Sequence, residues 1–209
     1  MTALTPDQRP LVGSVIRLDS FVPGDSSGLF HALDDPRVWA GGYGGGPVAR
    51  PVDVDGFGRL MRSRLAAGQR PYVVRLAVDC PLGAAGLIVG TSTLHDVDLA
   101  NERLHLGWTA YSPEVWGSEV NPECKLLLLK HAFDDCGFER VKIQTDVLNI
   151  RSQEAILRIG AVREGVLRHH MLRADGTRRD TVVFSVLREE WPGVRERLLI
   201  RLGRLPTAD

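Results

Sequence analysis

Between Glu102 and Gly137 the sequence changes its hydrophobic period once, and that change limits the folds open to the chain. From Glu102 to Tyr111 it alternates. Leu104, Leu106, Trp108 and Ala110 fall on one side and His105, Gly107, Thr109 and Tyr111 on the other, the pattern of a strand with two different faces. After the loop SPEVWGSEV a helix opens. Asn121 suits its N-cap, Pro122 its first position, and Glu123 its positive end. Its body, CKLLLLKHAF, is apolar around more than half its circumference, so it packs on two sides. Gly137 ends it. A strand that feeds a doubly covered helix through a short loop belongs to a layered α/β protein.

The remaining segments extend that layering. Strands are expected at Val12–Leu18, Tyr72–Val78, Leu87–His95 and Val141–Val147, with the turn Cys80–Gly86 between the second and third. Val162–Leu172 and Arg178–Leu187 form a hairpin around Ala174-Asp175-Gly176. Helices are expected at Gly24–Asp34, at Val52–Gly68 with Phe57, Leu60, Met61 and Leu65 inward, and at Asn149–Ile159 before Gly160. A last amphipathic helix starts near Glu190 and carries Val194, Leu198, Leu199 and Leu202 on one stripe. The order β α α β β β α β α β β α gives one mixed sheet with helices on both faces. At 209 residues this is a single domain, 11–209, behind a flexible segment, 1–10. Gly41–Pro51, with five glycines in six positions, reads as a mobile loop, either a substrate loop or a plain connector.

Composition removes several classes of function. Lys plus Arg and Asp plus Glu are both 26, which argues against a nucleic-acid binder relying on phosphate neutralisation. No stretch has the ~20 apolar residues of a membrane span. Cys80, Cys124 and Cys136 lack zinc spacing and fit free thiols in a reducing cytoplasm. His169 and His170 have no carboxylate at ligand spacing, so no metal is expected. The C-terminal apolar stripe has two destinations, the domain itself or a second copy in a homodimer.

The strand–loop–helix junction is the first candidate for chemistry. Unpaired N–H groups and a positive dipole end make an anion site at the helix start. Glu139–Arg179 holds nine Lys/Arg against five Asp/Glu, a local excess that favours an anionic ligand. Asn149 is a capping residue and Ser152 a first-turn residue of the following helix. Asp79, Asp96, Asp98 and Glu102 form an acidic rim without Lys or Arg.

WGSEVNPECKLLLLKHAF, then GFERVKIQTDVLNIRSQEAILRIGAVREGVLR, then DGTRRDTVVFSVLREEW resembles the ribosomal-protein N-acetyltransferase (RimJ/RimL) branch of the GNAT superfamily. The resemblance runs from about Val12 to Trp191. It implies an α/β (α+β) GNAT fold with a mostly antiparallel seven-stranded sheet, and acetyl-CoA as cosubstrate. Its pyrophosphate would lie over Trp116, Gly117, Ser118, Glu119, Val120 and Asn121. Many relatives have a second glycine where Glu119 stands, so the loop works through its backbone only if that side chain points to solvent. Thr109 and Tyr111 would hold the thioester carbonyl, Asn149 the pantetheine arm, and Ser152 would assist the leaving thiolate. His105 stands where several relatives carry a glutamate. With an ordinary pKa near 6.5 it can take the proton of an attacking amine, and Glu102 is the reserve base. The acceptor is a primary amine, either a protein α-amine or a small molecule. A non-catalytic acyl-CoA-binding module and an enzyme for longer acyl-CoA are the alternatives.

Overall fold

A computed structural model describes residues 2–206; the outermost ends of the chain, Met1 and 207–209, lie outside the described residues. One eight-stranded sheet runs through the molecule in the order β1-β2-β3-β4-β5-β6-β8-β7. Its strands are β1 (Leu11–Val12), β2 (Ile16–Ser20), β3 (Arg70–Leu76), β4 (Ile88–Asp98), β5 (Arg103–Tyr111), β6 (Arg140–Asp146), β7 (Val162–Leu172) and β8 (Arg178–Leu187). All neighbours are antiparallel except β5 and β6. The helices are α1 (Ser26–Leu33), α2 (Pro36–Ala40), α3 (Val54–Ala66), α4 (Val120–Lys130), α5 (Ile150–Ile159) and α6 (Trp191–Arg201).

Two cores follow from the two faces. On one, Leu94, Leu104, Leu106, Val141 and Phe184 of the sheet meet Cys124 and Leu128 of α4, Ile156 of α5 and Leu198 of α6. On the other, Val73 and Ala110 meet Leu29 and Leu33 of α1, Trp39 of α2, and Phe57 and Met61 of α3. Each fully buried Leu, Phe or Met contributes about 1.5–3 kcal/mol. The stripe of α6 is thus covered by its own domain at Val194, Leu198 and Leu202.

The eighth strand comes from the expected single strand Val12–Leu18. It is broken into β1 and β2 by a turn whose N–H groups (Ser14, Val15 and Ile16) donate to the Glu123 carboxylate. Glu123 is fully buried and is therefore an anchor for this turn. A side chain at Gly13 would strike its carboxylate. The helix start also differs: α4 begins at Val120 with Glu119 at the cap, and the Ser118 hydroxyl, in place of Asn121, accepts the Val120 N–H. A turn of π-helix, His131–Asp135, extends the helix to Gly137.

The segment before β1 is docked rather than loose. Leu4 N–H bonds Cys136 O, Arg70 Nε bonds Pro6 O, and Tyr72 Oη bonds Asp7 O. Gly41–Pro51 is likewise folded, into short 3-10 turns at Tyr43–Gly45 and Pro47–Ala49. Gly42, Gly44, Gly45 and Gly46 all take positive φ there, the conformation that glycine supplies without strain. The loop buries Tyr43 against Trp39, with the rings 5.1 Å apart.

Candidate active site

The centre of the site is a failure of pairing. The parallel strands β5 and β6 are bonded only from Arg103–His105 to Arg140–Lys142; beyond His105 they separate. This leaves a wedge with its apex at His105 and its mouth at Tyr111. Backbone edges without ladder partners must find others, and an extended polar ligand can supply them.

A bulge in β5 shapes one wall. Trp108 has φ 49°, and the register with β4 shifts between Thr91 and Thr93. The extra residue reverses the alternation. Trp108 and Ala110 join His105 and Gly107 on the α1–α3 face, while Thr109 turns towards α4, where Lys125 Nζ donates to its hydroxyl at 2.7 Å. The stripe expected from sequence therefore holds only through Leu106. A bulge adds one residue to one strand, so every later side chain changes face.

His105 is 2% exposed. It packs at a tilt of 39° against His95 of β4, centroids 4.0 Å apart, and its Nδ1 lies 3.3 Å from Asp96 Oδ2. His95 Nδ1 is 3.1 Å from Asp96 Oδ1 without the alignment of a hydrogen bond. Lys142 Nζ approaches Asp96 at 3.4 Å. Burial pushes the His105 pKa down to about 4, against the opposing pull of Asp96, and lowers His95 as well. The hydrogen bond from His105 keeps Asp96 well below the usual carboxylate range. Both Nε2 atoms lie over Gly107, whose missing side chain leaves them room. With Nδ1–H on Asp96, the Nε2 lone pair of His105 is free to accept a proton. Sequence reasoning placed Asp96 only on an acidic rim and gave His95 no role. Their pairing with His105 depends on β4–β5 register, with His95 opposite His105.

Around Gly107 the structure collects buried polar atoms without partners: Nε and Nη2 of Arg64, Oγ1 of Thr93, both ring nitrogens of His95 and Nε2 of His105. Arg64 Cζ lies 4.2 Å over the Trp108 ring, and Tyr43 packs edge-on against Trp108 at 6.4 Å. Buried polar groups are normally satisfied, so this concentration makes the surroundings of Gly107 a candidate for ligand contact.

At the mouth of the wedge lies the loop before α4. Among the described residues, the N–H groups of Gly117, Glu119 and Asn121 have no protein acceptor. Gly117 has φ 79°, and the Glu119 side chain is exposed, leaving the backbone open to an anion. Trp116 Nε1 bonds Tyr111 O at 3.0 Å, and Arg151 of α5 stacks 3.5 Å over the Trp116 ring. Asn149 caps α5 by accepting the Ser152 N–H at 3.0 Å, and its Nδ2 bonds Gly41 O. Tyr111, Trp116, Arg151, Asn149 and Ser152 are thus linked contact by contact, while Thr109 faces Lys125 of α4. Glu102 stands apart, ahead of the closed end of the wedge. Its carboxylate accepts from Ala3 N–H at 3.3 Å and its carbonyl from Glu139 and Arg140.

A split parallel pair with a bulged wall, followed by an anion-receptive helix start, defines an acyltransferase architecture. The acetyltransferase (GNAT) domain family matches residues 16–162, and the chain belongs to that family as an N-acetyltransferase. Over 126 residues it is 31% identical to "Putative ribosomal N-acetyltransferase YdaF" of Bacillus subtilis, covering 60% of this chain and 67% of that one. The crystal structure of a putative acetyltransferase from T. thermophilus superposes with TM-score 0.82 at 32% identity, over 95% of this chain and 100% of that one. Mycobacterium smegmatis RimJ, solved with CoA-disulfide, shares the fold at TM-score 0.73 and 20% identity, covering 95% and 96%. No helix among the described residues is long and apolar enough to cross a membrane.

Proposed function

We propose that the protein transfers the acetyl group of acetyl-CoA to a primary amine by direct attack in a ternary complex. The observation that carries this reading is the wedge, with free N–H groups of Gly117, Glu119 and Asn121 at its mouth and the His105 imidazole at its apex. The pyrophosphate sits on the helix start, where dipole and N–H groups favour negative charge. The extended arm lies between β5 and β6, with Asn149 released from Gly41 to bond it. Backbone N–H groups near Thr109 and Tyr111 hold the thioester carbonyl as it becomes an oxyanion.

The amine attacks the thioester carbon, and a C–N bond forms. His105 Nε2 accepts the amine proton while Asp96 orients the ring and stabilises its charge. The C–S bond then breaks and the thiolate leaves, assisted by the Ser152 hydroxyl. Glu102, tied to the N-terminal segment, fits the reserve role less well. A ribosomal acceptor, as the YdaF name has it, would present an α-amine, which is far more often neutral at pH 7 than a lysine side chain. Reaction in the cytoplasm accords with the free thiols.

Calorimetric titration with acetyl-CoA, against desulfo-CoA and AMP, tests the reading. Micromolar binding, followed by amine-dependent CoA release, is expected. No binding at millimolar ligand would overturn it.

A further inference from the structure

Arg64 is a buried cation with no carboxylate. It is 4% exposed on α3, and among the described residues it forms no ion pair. Its Nη1 donates to Tyr43 Oη at 2.9 Å and meets Met61 Sδ at 3.7 Å. The guanidinium lies over Trp108 at 4.2 Å and over Tyr43 at 5.3 Å. Such ring contacts attract the cation but supply no counter-charge, and a buried ion without one is costly.

The two N–H groups left without acceptors, Nε and Nη2, share one edge of the guanidinium. That edge is the fork that takes both oxygens of a carboxylate. Tyr43 holds Nη1 at the other end and so fixes the plane of the fork. Trp108 is the bulge residue, next to the Gly107 position over which the His95 and His105 Nε2 atoms lie. Arg64 and the two imidazoles therefore stand on one face of the sheet, with the guanidinium over the Trp108 ring and His95 6.5 Å from that ring on the way to His105.

We infer that the acceptor is an amine that also carries a carboxylate, which seats on the Nε/Nη2 edge of Arg64 while a short apolar spacer crosses Trp108 and brings the amine to His105. This rests on the transferase reading and adds the acceptor class to it. An amine without an anionic group leaves the fork empty and Arg64 uncompensated, so the site discriminates against it.

The test uses the full chain with acetyl-CoA and follows CoA release. Amino carboxylates from glycine to 6-aminohexanoate are compared with alkylamines of the same length, at matched neutral-amine concentration, and with aminoalkyl phosphates. At least one carboxylate is expected to exceed its alkylamine in kcat/KM by roughly tenfold to a hundredfold, the range of hydrogen bonds to charged groups. In Arg64→Met that preference falls to within about twofold, through KM, while Tm holds or rises because an unpaired buried charge has been removed. Arg64→Lys, which keeps the charge without the fork, loses most of the preference and covers the case in which the methionine variant misfolds. Independently of turnover, glutarate raises Tm of the wild type and not of Arg64→Met.

Equal turnover of alkylamines and amino carboxylates, a preference that survives in Arg64→Met, or a preference for phosphates overturns the inference and leaves the transferase reading intact. If no amine is acetylated, the transferase reading fails; an absent glutarate shift in the wild type then removes the Arg64 site as well.

Discussion

At His105 the depressed pKa has two measurable consequences. Unfolded histidine titrates near 6.5, and the folded imidazole near 4. Between these values the unfolded chain binds a proton that the native state refuses, so stability falls as pH drops through that window, by on the order of 3 kcal/mol. His105→Gln should flatten Tm against pH from 4 to 6.5; an unchanged slope would mean the imidazole titrates as in water. For the same reason His105 stays neutral from pH 6 to 9. The rising limb of kcat/KM should track the acceptor amine, with no inflection near 6.5. Glu123 has the same sign. Burial raises its pKa, but Arg204 and the N–H groups of Ser14, Ile16 and Val15 outweigh that and leave it below the usual range. Its contribution is complete above the unfolded pKa and is lost as pH falls through the folded one. Glu123→Ala should cost about 3–5 kcal/mol by urea denaturation, because Arg204 and three donors lose their partner.

The bulge and the two strands beside it decide the geometry at the level of elements. An alanine at Gly107 places Cβ 2.9 Å from His95 Nε2 and 3.1 Å from His105 Nε2, so the imidazoles must turn. Gly107→Ala should keep the fold and lower kcat by tenfold or more, about 1.4 kcal/mol of barrier; unchanged kcat would mean that ring position does not matter. Gly90→Ala is a different case. Its Cβ would strike Ala110 O, and backbone cannot swing aside as a side chain does. A loss of about 1–3 kcal/mol in stability is expected, read as a lower midpoint in chemical denaturation. The extents of β7 and β8 were legible from alternation and a turn sequence alone, and match residue for residue. The Trp108 bulge was not legible, since nothing in LHLGWTAY announces an added residue. The helix α4 starts one residue before Asn121, at Val120, whose N–H is taken by the Ser118 hydroxyl.

For the molecule as a whole, the wedge leaves β5 and β6 joined by three register pairs. A ligand that bridges them binds only the native state, so acetyl-CoA should stabilise by about 2.7 kcal/mol at a hundred times Kd. Hydrogen exchange should slow at 106–111 and change little at Leu104 and Val141; uniform slowing would place the ligand elsewhere. The sequence by itself determined the order of elements apart from the β1–β2 break and the short α2, the doubly covered α4, the two helical layers and the family, because these rest on hydrophobic period and on turn and capping residues close together in the chain. It also offered the loop Trp116–Asn121, Asn149 and Ser152 as candidates in succession. Only the tertiary structure decided which face Trp108 takes, that His95 and Asp96 share a cluster with His105, and that Arg64 waits unpaired beside them. Those relations join β4, β5 and α3 across register shifts and packing, and burial of a charge is a property of its surroundings, which no single segment encodes.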